Sequence, residues 1–393
     1  MVSTDCHLGA GFSATPHATW RWSFYLIAPL TAIAIGLLVV ALPSYSEGNE
    51  KSVSKNFREI DWIGNFLHIA TFLLLAFAAV FGGTMWAWSS ITELAVFIAL
   101  GATSISYVVQ QTFSLGVKPE RRIIPVHLLT NRTVLFTWIC TIAASFVYGV
   151  TLYYTPLFYA FTREIGPLEA GLRLFCFTAN FIFVIFLAHS LLPVAKFYMP
   201  FFLVGGILLL IGGILFHTVT PGTSNAAILG FDALVGAGVG LLWNLAIPVC
   251  SVKLKTREER LDQTTLHSIA QLGGVAASLS ASALIYQNLG LEMLRQSAQF
   301  TGYSKSDIFG LLSGAQSDIL NALPEDLRDV VIAALIRTIV RCFYIIIAAG
   351  VLAFVASLCL KIEPLDFPNM FQKKRSQKDV EGSLEKPSVY ELK

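Results

Sequence analysis

Residues 200–216 read PFFLVGGILLLIGGILF, a run with no charged side chain and no polar one. A helix rises about 1.5 Å per residue, so the run covers roughly 25 Å. That is close to the hydrocarbon thickness of a bilayer, about 30 Å. Similar runs lie on both sides of it, at 24–42, 62–81, 91–109, 134–154, 172–192, 226–249, 266–286 and 342–360. Over the 393 residues, 13% are charged and 55% hydrophobic, and the mean hydropathy is +0.67. A water-soluble domain carries about one quarter charged residues, so this composition excludes a soluble globular protein. Hydrocarbon offers no water, every backbone polar group must bond internally, and only helices and closed barrels can span. The runs show no alternation of polarity, and Pro29 and Pro248 stand inside two of them, as membrane helices allow. The fold class read from the sequence is an all-α integral membrane bundle with about nine spans.

Lys and Arg resist translocation, so short loops rich in them stay in the cytoplasm. One set of alternate loops holds Lys51, Lys55 and Arg58; Lys118, Arg121, Arg122 and Arg132; Lys196; Lys253, Lys255, Arg257 and Arg260; and a tail with Lys361, Lys373, Lys374, Arg375 and Lys378. The other set has no Lys or Arg between Gly82 and Ser90 or between His217 and Asn225, and only Arg163 between the fourth and fifth spans. The tail is therefore expected in the cytoplasm, and nine spans then put Met1 outside. An outside start ordinarily follows a cleaved leader or a further span, and residues 1–20 supply neither. Missing upstream sequence is expected, with unaided insertion of the first span as the alternative.

No C-x-x-C, H-E-x-x-H, G-x-S-x-G or phosphate-loop pattern occurs, so the sequence predicts no enzyme, no cofactor and no metal. Cys140, Cys176, Cys250, Cys342 and Cys359 fall in or beside spans and read as packing residues. The net charge of +2 is small and dispersed, which implies no nucleic acid; the lipid bilayer is the implied partner. Gly230, Gly236, Gly238 and Gly240 share one span, and Gly273 and Gly274 another, where small residues let helices approach closely. Asn131-Arg132-Thr133 has the form of a glycosylation sequon, but its loop is a basic one, and chance is the better reading.

A carboxylate at mid-membrane costs roughly 2.5–3.5 kcal/mol on insertion scales. Asp232 is the acid placed inside a span, and it either faces a cavity, pairs with a neighbouring helix or reaches interfacial water. Asn244, twelve residues on, is expected on a similar face, the two lining a polar path. Asn180 and His189 are weaker path candidates, since buried amides commonly bond across helices. His68, on one face with Asn65, is a proton-relay candidate or an interhelical hydrogen-bonding group. Tyr153, Tyr154, Trp86 and Trp88 fall at expected interfaces and read as anchors; rings turned inward would instead build an aromatic cavity. Residues 324–335 place Leu327, Val330, Val331, Ala334 and Leu335 at helical spacing after Pro324. That suits a surface helix at the outer leaflet or an extension of the last span. The stretch 365–393 mixes Lys, Glu, Ser and Pro and is expected to be disordered.

Thr19-Trp20-Arg21-Trp22-Ser23-Phe24-Tyr25-Leu26, with Pro29 following, resembles the W-R-W-x-F-Y-I-N-x-P start of the sixth span in fourteen-span major facilitator drug:proton antiporters, fungal toxin pumps especially. The resemblance continues in order through Gly82-Gly83 with Trp88-Ser89-Ser90, Ile124-Pro125 with Asn131-Arg132-Thr133, Leu168-Glu169-Ala170-Gly171-Leu172-Arg173-Leu174, and Gln271-Leu272-Gly273-Gly274 with Asn288. Leu8-Gly9-Ala10-Gly11-Phe12 is similar to the end of that family's span-five motif. Ile27, Cys176 and Ala277 stand where the family usually has Asn, Pro and Gly. On this alignment 1–21 is a remnant of the span five to six connection and 22–42 the last span of an N-terminal half. Two linking spans follow in 43–113, then a cytoplasmic loop in 114–133, a six-span half in 134–360 and a tail in 361–393. The resemblance implies proton-coupled efflux of a hydrophobic toxin, drug or secondary metabolite at the plasma membrane, with the vacuolar membrane as the alternative. Uptake of iron-siderophore complexes and a non-transporting scaffold role are the competing readings.

Overall fold

The computed structural model describes residues 21–41, 60–163, 165–296, 304–312, 320 and 322–365. The expectations for Met1, for residues 8–12 and for the tail beyond 365 lie outside them. Helices follow one another as α1 (Arg21–Ala41), α2 (Trp62–Phe81), α3 (Ile91–Phe113), the short α4 (Val126–Leu129), α5 (Arg132–Arg163), α6 (Pro167–Arg173), α7 (Phe175–Ala195), α8 (Met199–His217), α9 (Asn225–Trp243), α10 (Ala246–Lys253), α11 (Arg257–Gln296), α12 (Lys305–Leu312), α13 (Glu325–Cys342) and α14 (Tyr344–Leu358). Among the described residues, eight helical stretches are long and apolar enough to cross a bilayer, and α1 adds the shorter apolar piece Ile27–Ala41. The protein is a multi-pass helical membrane protein.

Helix starts follow local capping chemistry. The side chains of Asp61 and Ser90 accept hydrogen bonds from the Gly64 and Glu93 amides. The Asn131 side chain accepts from the Thr133 amide at 3.0 Å, so the sequon-like triplet is a cap at the start of α5. Further down α5 the hydroxyls of Thr137, Thr141 and Ser145 each donate to the carbonyl four residues back, at 2.8–3.0 Å. These polar groups thereby need nothing from lipid.

Three expected spans are interrupted or lengthened. The run 172–192 is α6 and α7 with a joint at Leu174, and the run 226–249 is α9 and α10 with a break at Asn244 (φ −122°, ψ −2°). The helix after Pro324 is α13, which meets α14 through Phe343 alone. Val331, Leu335, Ile336 and Ile339 of α13 are buried, and α13 packs on α5 and α11. Its apolar face is covered by helices, and the outer-leaflet surface helix is thereby corrected to an extension of the last span.

Six helices, α5, α7, α8, α9, α11 and α14, form one packed unit, with α8 between α14 and α9 and with α5 against both α11 and α14. The α2–α3 hairpin joins this unit through α2 on α11. Close approach depends on missing side chains. A Cβ on Gly206 would lie 2.7 Å from the Phe354 nitrogen, and one on Gly350 would lie 2.6 Å from that of Leu210. On α9, Gly236 and Gly240 face the carbonyls of Phe177 and Phe181, at 2.5 and 2.8 Å from the would-be Cβ, and Gly238 faces Leu209 at 2.7 Å. Gly274 sits 2.7 Å from the Ser145 side chain and Gly273 2.9 Å from the Phe72 ring by the same measure. Gly230 is corrected: nothing lies within 4 Å of its would-be Cβ, so it is not at a helix contact.

At the basic face, residues 361–365 are fixed by neighbours, although the whole stretch from 361 was expected to be tail. The Leu365 amide donates to the Lys196 carbonyl at 2.7 Å, and Phe197 bridges Pro364. Lys253 pairs with Glu363, to which the Tyr198 hydroxyl also donates at 3.2 Å. The hydrogen bond from Lys253 holds the Glu363 carboxyl below the usual carboxylate range.

Substituting a large side chain at a glycine contact should overpack the bundle by about 1–3 kcal/mol. Gly274→Leu is expected to lower the thermal midpoint of the detergent-solubilised protein, whereas Gly230→Leu should leave it nearly unchanged. Equal midpoints for the two variants would contradict the packing described.

Candidate functional site

A cavity of about 480 Å³ opens between α2, α5, α11 and α12, away from the basic loops. Its walls include Val80, Tyr153, Tyr154, Leu279, Ser280, Ala283, Tyr286, Gln287, Phe309 and Leu312. Tyr154 is only 2% exposed, its ring 5.0 Å from that of Tyr153 and 5.7 Å from that of Tyr286. The interfacial-anchor reading of Tyr154 is therefore corrected. Helix α5 runs nine residues past Tyr154 to Arg163, so that ring lies within the helix's packed length and turns toward α11. Tyr153 keeps 58% exposure while lining the same cavity. The Tyr286 hydroxyl donates to the Leu312 carbonyl at 3.1 Å, and Ser280 bonds within its own helix. No wall residue is charged.

The polar residues expected along one path are distributed over several helix contacts. Asn244 is not grouped with Asp232: α9 stops at Trp243, and twelve residues of helix would separate the two by about 18 Å. Its side-chain oxygen instead receives the Gln271 amide at 3.1 Å and faces His267 Nε2 at 3.3 Å, both on α11. Gln271 also donates to the Trp243 carbonyl at 3.0 Å, a group that the helix break leaves open. Asn180 donates across to the Ala233 carbonyl. His189 bonds the carbonyl of Ile185 in its own helix at 2.7 Å, and His68 bonds the Tyr107 hydroxyl at 3.0 Å between α2 and α3.

Asp232 is fully buried, and neither carboxylate oxygen has a hydrogen-bond partner among the described residues. The Thr155 hydroxyl lies beside it without closing a bond, and the Tyr159 hydroxyl is within electrostatic reach. Thr151, Thr155 and Tyr159 recur every four residues along α5, and each has a buried oxygen without a partner. Arg173 of α6 sits over the Tyr159 ring at 4.9 Å. Sequence reasoning passed over this hydroxyl stripe, although its spacing placed it on one helical face. A second buried acid was also passed over. Glu93, in the first turn of α3, is fully buried with both oxygens unpartnered, so Asp232 is not the only acid within a span.

One polar joint attaches the α2–α3 hairpin to the six-helix unit, and a second network ties the hairpin's own helices to the loop that follows them. At the basic end Asp61 accepts from Gln110 at 3.0 Å and from Gln111 at 2.9 Å, while Gln111 accepts the Ile124 amide at 2.7 Å. At the other end Asn288 of α11 donates to the Gly82 carbonyl at 3.1 Å. Gly83 turns there at φ +72°, a left-handed conformation that favours glycine. The Gly-Gly turn and Asn288, distant in sequence, thus meet.

Helices of spanning length thus enclose an aromatic cavity and buried acids in a polytopic membrane bundle. The chain belongs to the fungal trichothecene efflux pump family (TRI12), whose model matches residues 2–390. It is 29% identical over 365 residues to efflux pump patC of Aspergillus clavatus, covering 92% of this chain and 66% of that protein. It is 26% identical over 377 residues to efflux pump DEP3 of Fusarium langsethiae, covering 96% and 66%. An MFS-type transporter of a phomenoic acid biosynthesis cluster in Leptosphaeria maculans is 28% identical over 86% of this chain and 56% of its own length. The chain spans less than two thirds of the length of the curated relatives it matches. Among solved structures, an inward-facing, occupied bacterial homologue of the human lysosomal transporter Spinster aligns with a TM-score of 0.47 and 14% identity, covering 91% of this chain and 80% of that one.

Removing the Asn288 amide takes away the joint to the Gly82 carbonyl. Asn288→Ala is expected to cost about 1 kcal/mol, read as a lower thermal midpoint and faster amide exchange in the Gly82–Ser90 turn. Unchanged exchange there would contradict the joint's role.

Proposed function

We propose that the protein is a secondary transporter that exports a hydrophobic small molecule, a trichothecene-like toxin or related secondary metabolite, in exchange for protons. The observation that carries this reading is the aromatic cavity. Its volume of about 480 Å³ lies within the few hundred to a thousand Å³ of drug-sized sites. Uncharged walls with tyrosine and phenylalanine rings suit a compact, mostly apolar ligand. The same walls disfavour an iron-siderophore complex, whose many polar groups would lose water without finding partners. Family membership and the names of the relatives support export as the direction. The basic loops orient their face toward the cytoplasm, and the plasma membrane is the destination that export to the outside requires.

Filling the cavity should block transport without unfolding the bundle. In a yeast strain lacking its own drug pumps, the wild-type protein is expected to lower accumulation of a labelled trichothecene on the order of tenfold, and Ser280→Trp should accumulate as much as the empty strain at equal protein level. Wild-type transport with an unaffected Ser280→Trp would remove the cavity from the pathway. No difference between the wild-type and empty strains would remove the export reading itself.

A further inference from the structure

The largest group of open polar atoms among the described residues lies on α5, α6 and α9, apart from the two Glu93 oxygens on α3. Both Asp232 oxygens, the hydroxyls of Thr151, Thr155 and Tyr159, and the Nη1 of Arg173 are all buried without a partner. Buried polar groups are ordinarily satisfied, so a cluster of open ones marks a place where something binds or moves. An ionised, unpaired carboxylate here would be strongly unfavourable, and the cation that shares the Tyr159 side chain with it is the Arg173 guanidinium. That group now spends Nη2 on Glu169, at 2.7 Å, while its Nη1 is buried without a partner and its central carbon lies 4.9 Å from the centre of the Tyr159 ring. The Glu169 side chain is 55% exposed, so solvent weakens its hold on Arg173.

We propose that Asp232, Thr155, Tyr159 and Arg173 form the site that takes up the coupling proton, and that Arg173 changes partner from Glu169 to Asp232 when that proton leaves. This deepens the export reading and rests on it. With the proton on Asp232, the acid is neutral and Arg173 stays with Glu169, as in the present structure. When the proton departs, the carboxylate draws the guanidinium inward past the Tyr159 ring, and the Thr155 and Tyr159 hydroxyls donate to the remaining oxygen positions. Arg173 is the last residue of α6, and Leu174 is the joint to α7. A change of partner at Arg173 therefore bears directly on the angle between those helices.

The other titratable groups around the site are few. Helix α5 adds Arg163, which donates to the Asn225 side chain at 3.1 Å and to the Thr223 carbonyl at 2.5 Å. Helix α7 adds Cys176. Helix α8 carries only His217, at its last residue, which bonds Tyr344 at 3.1 Å. Helix α9 has no other acid or base. The oxygen set alone would also suit a hard monovalent cation, but a guanidinium at its edge opposes one.

The test is infrared difference spectroscopy of the purified full chain in lipid nanodiscs, following a protonated-carboxyl band as pH rises. The band is expected to vanish in Asp232→Asn. Its midpoint should move in opposite directions in Arg173→Gln and Glu169→Gln, each by about one pH unit, a tenfold change in proton affinity. Thr155→Val, a milder change, should also move it, which keeps the test open if Asp232→Asn fails to fold. A band that persists in Asp232→Asn, midpoints unmoved by Arg173→Gln and Glu169→Gln, or a band that responds to sodium at fixed pH would overturn the proposal. Toxin export by a protein whose band does not follow Asp232 leaves the export reading standing and removes the site. A band that follows Asp232 in a protein that exports nothing does the reverse.

Discussion

A bilayer offers no hydrogen bonds, and each polar group that enters it must find its partner inside the protein. Most of this chain obeys that constraint by local means. The hydroxyls of α5 bond back along their own helix, the carbonyl freed at the α9 break is taken by Gln271, and Asp61 is both a cap and the acceptor for two glutamine amides. Asn288 ties the hairpin α2–α3 to α11, and these closed networks leave nothing for a ligand. The cluster around Asp232 and the buried Glu93 depart from the pattern, and the Asp232 cluster is where we place the proton site.

Lipid tails are as apolar as leucine, so helices in a membrane gain little from hiding hydrophobic surface and associate through contact instead. The glycines of α8, α9 and α14 permit backbone-to-backbone approach, and α8 is thereby fixed between two partners. Between α5 and α11 the contact is tight at Gly274 and Ser145, and further along the same pair, where Tyr154 and Tyr286 meet, a cavity remains. A tight seam and an open aromatic chamber are two outcomes of the same packing rule.

The spans were legible because hydrocarbon thickness sets a length that any apolar run must match. What interrupts them was not. Pro248, which offers no N–H to the Asn244 carbonyl, reads in the sequence only as a tolerated proline, and no glycine or proline stands at Leu174 or Phe343 to announce those joints. Tyr154 was misread because its place was judged against an expected helix end that lies nine residues too early. Asp232 was legible as a costly acid, but its surroundings were not, since Thr155, Tyr159 and Arg173 come from other helices. Asn244 was grouped with it on helical spacing that the actual helix does not sustain.

Cavity and acid lie on different faces of α5, the helix that supplies Tyr154 to one and Thr155 and Tyr159 to the other. A ligand that repositions α5 would therefore alter the hold of Asp232 on its proton, and by reciprocity the proton would alter ligand affinity. The direct measurement is calorimetric titration of a trichothecene into the purified protein in two buffers of different ionisation enthalpy. Release of about one proton per ligand bound is expected from that linkage. Binding with the same heat in both buffers would mean that no proton moves, and would contradict the coupling of the two sites.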